Sequence, residues 1–178
     1  MEAGPLSSKA LGIRMHAGVT LILKNLLFTL VVPASVGVYV PLWLARASSP
    51  RSGVMLPISG ALIAVGAGCY LWSVWNFALR GRGTPLPFDA PKRLVIQGPY
   101  RYTRNPMYLG VFVALSGWLL LFQSLVHALY LLAIVVAVNL YVIGYEEPHL
   151  RQVFGSEYAE YMARVPRWLP RIPSGPDA

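Results

Sequence analysis

The sequence has little charge and few carboxylates. Only 12% of its 178 residues are Asp, Glu, Lys or Arg, and seven of these are acidic. An ordinary soluble domain has about 25% charged residues, so this chain has too little charge to cover a soluble surface. Its hydrophobic content of 56% and mean hydropathy of +0.53 exclude a disordered chain and favour an integral membrane protein.

Several kinds of site are excluded by what is missing. Cys69 is the single cysteine, so an intrachain disulfide and a cysteine-based metal cluster are impossible. The three histidines fall in separate segments, so we expect no metal site, and we expect His127 to be packed or interfacial. Neither a G-x-G-x-x-G after a strand nor a G-x-x-x-x-G-K-[ST] occurs, which excludes a Rossmann cofactor site and a P-loop. The net charge of +8 does not indicate nucleic acid, because the basic residues flank apolar runs.

Four apolar stretches predict membrane helices. Three of them reach the ~20 residues that a helix needs to cross the bilayer core, and the third along the chain is shorter. The last two are separated only by Gln123 and Ser124, which predicts a tight helical hairpin. We therefore predict an all-α integral membrane protein of about four transmembrane helices in a single domain over residues 1–178, with the first two spans within residues 26–79. The stretches are residues 26–45, 55–79, 108–122 and 126–145.

The basic residues predict the orientation. Three of them precede the first span, six lie between residues 80 and 105, and four follow residue 150, whereas only Arg46 and Arg51 fall on the opposite side. Because cytoplasmic loops carry the excess of Lys and Arg, we expect both termini in the cytoplasm. A multi-pass protein of a bacterial-type inner membrane fits this short chain.

Within the spans, small and polar residues predict how the helices pack. Gly60, Ala64 and Gly68 recur every four residues, which predicts a face that another helix approaches closely. We expect the prolines of the first span, at positions 33 and 41, to kink it. Asn139 lies at membrane depth, where a polar side chain either makes an interhelical hydrogen bond or lines a pathway.

Polar residues concentrate in two segments on the predicted cytoplasmic side. Residues 80–108 are rich in Gly, Pro and aromatic residues, which predicts an ordered loop at the interface. Glu146 and Glu147 follow the last span and either contact a ligand or pair with arginines. After them, helical spacing predicts an amphipathic cytosolic helix that lies on the membrane or packs across the bundle mouth, with a weak point at Gly155. Its apolar positions are Leu150, Val153, Phe154, Tyr158, Tyr161, Met162 and Val165.

Three motifs in order carry a family resemblance. The residues GPYRYTRNPMYLG, then YEEP, then FGSEYAEYMARVPRWLP resemble the C-terminal motifs of a membrane methyltransferase group. That group includes isoprenylcysteine carboxyl methyltransferases and phospholipid N-methyltransferases. The resemblance covers about residues 83–170, half of the chain. It implies that residues 80–170 bind S-adenosylmethionine at the cytosolic edge of the bundle under a helical cap, with a hydrophobic methyl acceptor arriving from the lipid bilayer.

The resemblance also implies particular site residues. Glu146 would accept hydrogen bonds from the cofactor's ammonium or ribose, and Tyr100 and Tyr108 would pack on its adenine or sulfonium. No catalytic residue is identified; Glu147 is a candidate general base, and Tyr102 and Arg104 are candidates for orienting the acceptor. The full cofactor-binding set is Lys92, Arg93, Leu94, Val95, Tyr100, Arg104, Asn105, Pro106, Met107, Tyr108, Glu146 and Glu147.

Two departures from the family pattern bear on the acceptor. Carboxyl methyltransferases usually have His where this chain has Asn105, and Arg where it has Val142. The missing arginine argues against methylation of a prenylcysteine α-carboxylate. The sequence therefore predicts methyl transfer to a hydrophobic acceptor, with carboxylate, amine and thiol acceptors all open. The alternatives are a non-catalytic membrane accessory protein and a nicotinamide-dependent membrane reductase.

Overall fold

The described part of the chain is helical. The computed structural model describes residue 27, residues 31–81 and residues 93–171, and within them there is no strand, which confirms the all-α prediction for these residues. Two short 3₁₀ turns, Ala45–Ala47 and Gly98–Arg101, lie between the main helices. The main helices are α1 (Val31–Leu44), α2 (Met55–Gly81), α3 (Pro106–Phe122), α4 (Leu125–Tyr141) and α5 (Glu147–Arg164).

Two of the described helices are long and apolar enough to cross a membrane. They are Met55–Arg80 and the continuous helix Leu125–Arg164, which joins α4 to α5. Helices α1 and α3 are apolar but shorter; α3 has 17 residues, a length of about 25 Å against a hydrocarbon layer of about 30 Å. The prediction of four membrane spans thus stays a prediction, although each apolar stretch forms a helix where it is described.

The predicted hairpin between α3 and α4 is confirmed. Gln123 adopts the left-handed conformation (φ 46°, ψ 39°), and its amide donates to the carbonyl of Leu119 at 2.7 Å. The hydroxyl of Ser124 then accepts from the amide of Val126 at 3.3 Å and caps the next helix. The left-handed residue ends α3 and the Ser cap starts α4, so the chain reverses within two residues.

Helices α2 and α3 pack backbone to backbone, but through a different face from the predicted one. Among the described residues, nothing lies within 4 Å of a Cβ built on Gly60 or Gly68, and the stripe that they form with Ala64 is exposed. A Cβ on Gly66 would instead lie 2.5 Å from the carbonyl oxygen of Gly110. The stripe prediction was wrong because regular spacing identifies a face of small residues but does not say which face a neighbour covers.

We expect Gly66→Ala to destabilise the protein and Gly68→Ala to leave it unchanged. The new methyl group of the first variant would overlap the backbone of α3, and overpacking of this kind costs about 1–3 kcal/mol. The second adds its methyl group in open space, where Ala favours a helix over Gly. Thermal unfolding in detergent checks the pair; equal melting temperatures for the two variants would contradict this helix contact.

Helix α1 contains a π turn just before Pro41, one of the two prolines predicted to kink it. This turn spans Ser35–Tyr39, and the amide of Val40 donates to the carbonyl five residues back rather than four. Because Pro41 has no N–H, the carbonyl of Gly37 loses its α-helical donor. The carbonyl of Val36 loses its donor too, because Val40 donates elsewhere and Pro41 cannot. Two carbonyls of an apolar helix are thereby freed.

Side chains of α3 and α4, the two helices of the hairpin, donate hydrogen bonds to these freed carbonyls. The indole of Trp118 donates to the carbonyl of Gly37 at 2.9 Å, and the hydroxyl of Tyr130 donates to that of Val36 at 3.0 Å. His127 is 2% exposed and its ring stacks on Phe122 with 5.0 Å between centroids, which confirms that it is packed. Backbone polar groups away from water need such partners, so these bonds fix α1 against the hairpin.

Helix α5 packs over the mouth of the bundle. Gly155 has φ 53° and ψ −123° and breaks its regular geometry, as predicted. Tyr158 and Tyr161 are 2% and 5% exposed, and the hydroxyl of Tyr161 donates to the carbonyl of Tyr100 at 2.7 Å. Of the two predicted positions for the amphipathic helix, the structure therefore shows the one packed across the bundle.

The segment after α5, residues 165–171, is hydrogen-bonded to residues 102–105. The hydroxyl of Thr103 donates to the carbonyl of Arg167 at 3.0 Å, and the side-chain amide of Asn105 donates to the same oxygen at 3.1 Å. Further along, the indole of Trp168 donates to Oδ1 of Asn139 at 3.0 Å. Asn139 thus makes a packing hydrogen bond, which was one of its two predicted roles. The segment 165–171 is tied both to the loop and to α4.

Candidate functional site

A cavity of about 290 Å³ lies where the five helices meet the loop at residues 94–105. Its deeper walls are apolar side chains of α1, α3 and α4, among them Val36, Phe112 and Val138. Its polar groups come from the start of α3 and from the junction between α4 and α5. The cavity therefore joins a polar end to an apolar arm that runs between the helices.

The structure brings most of the predicted site residues to this one cavity. Arg93 is exposed and is not among the lining residues, and Lys92 lies outside the described residues. Neighbouring residues in this irregular stretch turn inward instead, since Val95 is 5% exposed. Whether the set binds a cofactor stays a prediction. The lining members are Leu94, Val95, Tyr100, Arg104, Asn105, Pro106, Met107, Tyr108, Glu146 and Glu147.

Glu146 and Tyr108 form a hydrogen bond across the cavity. The Tyr108 hydroxyl donates to Oε2 of Glu146 at 2.9 Å, which joins the start of α3 to the end of α4. The apolar run of the helix that begins at Leu125 ends at Tyr145, so the carboxylate of Glu146 lies beyond that run. Burial raises the pKa of Glu146, and the hydrogen bond from Tyr108 opposes that shift. The pair can accept a cationic or hydroxyl-bearing group.

A second π turn sets the direction of this carboxylate. It spans Val142–Glu146 and joins α4 to α5 without ending the helix. One extra residue in a turn rotates everything after it relative to the helix before it. Adjacent residues of a helix with 3.6 residues per turn point in different directions, so Glu146 and Glu147 reach different partners. Single π turns occur frequently at functional sites.

Glu147 is held by two arginines. Its Oε1 lies 2.9 Å from Nη1 of Arg104, while Arg167 donates from Nε to Oε1 at 2.7 Å and from Nη2 to Oε2 at 2.8 Å. Burial alone would raise the pKa of Glu147, but the hydrogen bonds from Arg167 and the charge of Arg104 lower it overall. Both carboxylate oxygens are occupied and the group stays ionised, so the geometry argues against Glu147 as a general base.

Sequence reasoning did not find several residues of this site. Arg167 was counted only as a basic residue, yet it binds Glu147 in a bidentate pair. Tyr70 and Phe77 of α2 also line the cavity, although no motif was recognised in the first two spans. Arg167 does stand inside the third motif, so the motif was the available signal; no spacing rule links an arginine to a glutamate twenty residues earlier.

The cavity also contains a buried polar atom that lacks a hydrogen-bond partner within the described part of the chain. It is Nε of Arg104, whose Nη1 is already paired with Glu147. A buried donor without a partner is costly, and an anionic ligand group would satisfy it. Together with the Glu146 carboxylate and the aromatic walls, this donor suits a ligand that carries both positive and negative charge.

These features define an apolar helical bundle with a cavity at one end, lined by both polar and apolar residues. A family model described as phospholipid methyltransferase (PEMT) matches residues 54–157, more than half of the chain. The chain belongs to this phospholipid methyltransferase family. The match begins at the start of α2, well before the motifs at residues 98–110, so α2 is part of the shared region and not an unrelated span.

Two of the individual proteins that the chain is similar to are named as methyltransferases. The chain is 33% identical over 80 residues to protein-S-isoprenylcysteine O-methyltransferase B of Arabidopsis thaliana, covering 45% of this chain and 41% of that protein. It is 34% identical over 80 residues to protein-S-isoprenylcysteine O-methyltransferase of Schizosaccharomyces pombe, covering 34% of that protein. An uncharacterized protein of Haemophilus influenzae is 33% identical over its whole length of 63 residues. The alignments thus span less than half the length of the two named methyltransferases.

Proposed function

We propose that this protein binds S-adenosylmethionine in the cavity and transfers its methyl group to a hydrophobic or membrane-associated acceptor. The observation that carries the proposal is the meeting of Tyr108 and Glu146, from two separate motifs, across one cavity. Residues of a purely structural pattern would have no need to line a common cavity. Membership of the phospholipid methyltransferase family supports the same reaction.

The residues present fit this cofactor. Glu146 offers a carboxylate to its ammonium or ribose hydroxyls, and the faces of Tyr100 and Tyr108 suit adenine or a sulfonium. The free Nε of Arg104 offers a donor to its carboxylate. The cofactor supplies an activated methyl group, while the protein aligns the acceptor and excludes water.

The apolar arm supports a hydrophobic acceptor. It is lined by Val36 of α1, Phe112 of α3 and Val138 of α4, side chains that could contact a hydrocarbon chain over its length. The reactive end of the acceptor would then lie at the polar end of the cavity. We propose that carboxylates, amines and thiols remain the candidate acceptor groups of this site.

We also propose the membrane arrangement that the sequence predicts. The chain forms one multi-pass domain with the N-terminal spans in residues 26–79, the cofactor region in residues 80–170 and both termini in the cytoplasm. The concentration of basic residues on one side supports this orientation. The cavity would then open near the cytoplasmic face, where a soluble cofactor reaches it.

Calorimetric titration of the detergent-purified protein with S-adenosylhomocysteine tests the proposal, with NADPH titrated in parallel. We expect saturable binding of S-adenosylhomocysteine and none of NADPH. Binding of NADPH alone would replace the proposal with a reductase. If a folded protein binds neither compound, the methyltransferase proposal is wrong and a non-catalytic membrane role takes its place.

A further inference from the structure

His149 lines the cavity and has a ring nitrogen, Nε2, to which no role has been assigned. Its Nε2 is buried and has no hydrogen-bond partner among the residues that the structure describes, and the residue lines the same cavity as Glu146. Its ring stacks on Tyr145, with 5.9 Å between centroids and an angle of 7° between planes. Stacking, rather than hydrogen bonding, therefore orients the ring and leaves Nε2 available to a ligand.

The helix places His149 beside the proposed cofactor contact. It follows Glu146 by three residues, and residues three apart share one face of a helix. Tyr141 stacks on Tyr145 in turn, with 5.4 Å between centroids, so an aromatic ladder leads from α4 to the histidine. Both tyrosines line the cavity as well.

The two carboxylates at the polar end already have assigned partners. Glu146 accepts a hydrogen bond from Tyr108 at 2.9 Å and is the proposed contact of the cofactor, and the two oxygens of Glu147 are paired with Arg104 and Arg167. Within the described residues of the cavity, the imidazole of His149 is thus a nitrogen base with no assigned partner.

We propose that Nε2 of His149 accepts the proton of the methyl acceptor, and that the acceptor is an amine or a thiol rather than a carboxylate. This inference rests on the proposed methyl transfer. The acceptor's nitrogen or sulfur forms a bond to the methyl carbon, the bond between that carbon and the sulfonium sulfur breaks, and its electron pair stays on the sulfur. The acceptor's proton passes to Nε2, and the partly exposed ring returns it to water. A carboxylate is already ionised near neutral pH and needs no such base.

The test compares His149→Gln with the wild-type full-length protein in detergent. Gln keeps a polar side chain but cannot take a proton. The probes are dodecylamine, dodecanethiol and dodecanoate, which share a twelve-carbon chain and differ in the accepting group. With the amine or the thiol we expect methyl transfer to fall by about 10²- to 10⁴-fold, while the affinity for S-adenosylhomocysteine is unchanged. Gln152→Ala, at an exposed position of the same helix, should match wild type.

A second readout does not depend on turnover. Diethyl pyrocarbonate modifies neutral imidazoles, and mass spectrometry follows the modification of His149 in the wild-type protein. Because free amines and thiols also consume the reagent, the modification of His149 is measured relative to that of His16 in the same sample. We expect dodecylamine or dodecanethiol, added with S-adenosylhomocysteine, to lower this ratio. Suppression together with the loss of turnover in His149→Gln would support the proposal.

The outcomes separate this inference from the proposed function. No binding of S-adenosylhomocysteine to the wild-type protein would overturn the methyltransferase proposal itself. If it binds but His149→Gln methylates the amine and thiol at the wild-type rate, or only dodecanoate is methylated, the role of His149 is wrong. If none of the three probes is methylated, the diethyl pyrocarbonate experiment is the remaining test. The inference is then overturned if the amine and the thiol do not lower the modification of His149.

Discussion

Glu146→Ala is expected to weaken the binding of S-adenosylhomocysteine by about 10- to 150-fold, because a hydrogen bond to a charged group contributes about 1.5–3 kcal/mol. The carboxylate accepts from Tyr108 and, among the described residues that line the cavity, is not paired with an arginine. Its removal takes away the negative charge that would face the ammonium or ribose of the ligand. Calorimetric titration measures the change directly.

Glu160→Ala is the matched control for this experiment. Its carboxylate is 73% exposed and lies 3.9 Å from Arg164, on α5 and away from the cavity lining. We expect wild-type affinity for the control and a folded protein in both cases, judged by thermal unfolding. Wild-type affinity for Glu146→Ala would show that the motif residues have been assigned to the wrong ligand contacts.

Glu147→Ala is expected to lower the free energy of unfolding by about 3–5 kcal/mol, because breaking a buried ion pair leaves its partner charge uncompensated. Arg104, with 11% of its side chain exposed, would be that partner. Arg167 would lose both of its bonds to Glu147, and the segment 165–171 would be held less firmly. The exposed pair of Glu160 and Arg164 contributes at most about 1 kcal/mol, so Glu160→Ala again serves as the control.

The same ion pairs give this contribution a pH dependence. The pKa of Glu147 is lowered in the folded protein from an ordinary value of 4.5, so the folded state holds the ionised form more strongly than the unfolded chain does. The stabilisation is complete above the unfolded value and is lost as the pH falls below 4.5 through the lowered pKa. The melting temperatures of wild type and Glu147→Ala should therefore converge at acid pH; a constant difference would contradict the ion-pair assignment.

Apolar run lengths and turn residues were sufficient to predict much of the fold. The hairpin at Gln123 and Ser124, the helix α2 and the break at Gly155 follow from local chemistry, which a sequence displays directly. The choice of the Gly66 face over the Gly60 face does not, because both faces carry small residues and only the position of α3 distinguishes them. The two π turns were not predicted. Proline at position 41 indicates a disturbance of α1, but no residue type or spacing specifies the hydrogen bond over five residues that defines a π turn.

The candidate site, like the fold, could be predicted from the sequence only in part. Motif resemblance brought together Tyr108 and Glu146, which lie 38 residues apart and meet at 2.9 Å. It did not predict that Glu147 is paired with Arg104 and Arg167, because the motif does not specify which arginine side chains reach that carboxylate. The bidentate partner Arg167 and the unpaired nitrogen of His149 depend on side-chain directions that no spacing rule supplies.

The freed carbonyls of α1 have a consequence for how the protein is made. The donors that serve Gly37 and Val36 are Trp118 and Tyr130, which follow them by 81 and 94 residues. A ribosome synthesises α1 well before those donors exist, and two bare carbonyls are costly in hydrocarbon. Helix α1 would therefore reach its final place only after the hairpin has been translated, so that the first of the described helices is among the last to settle.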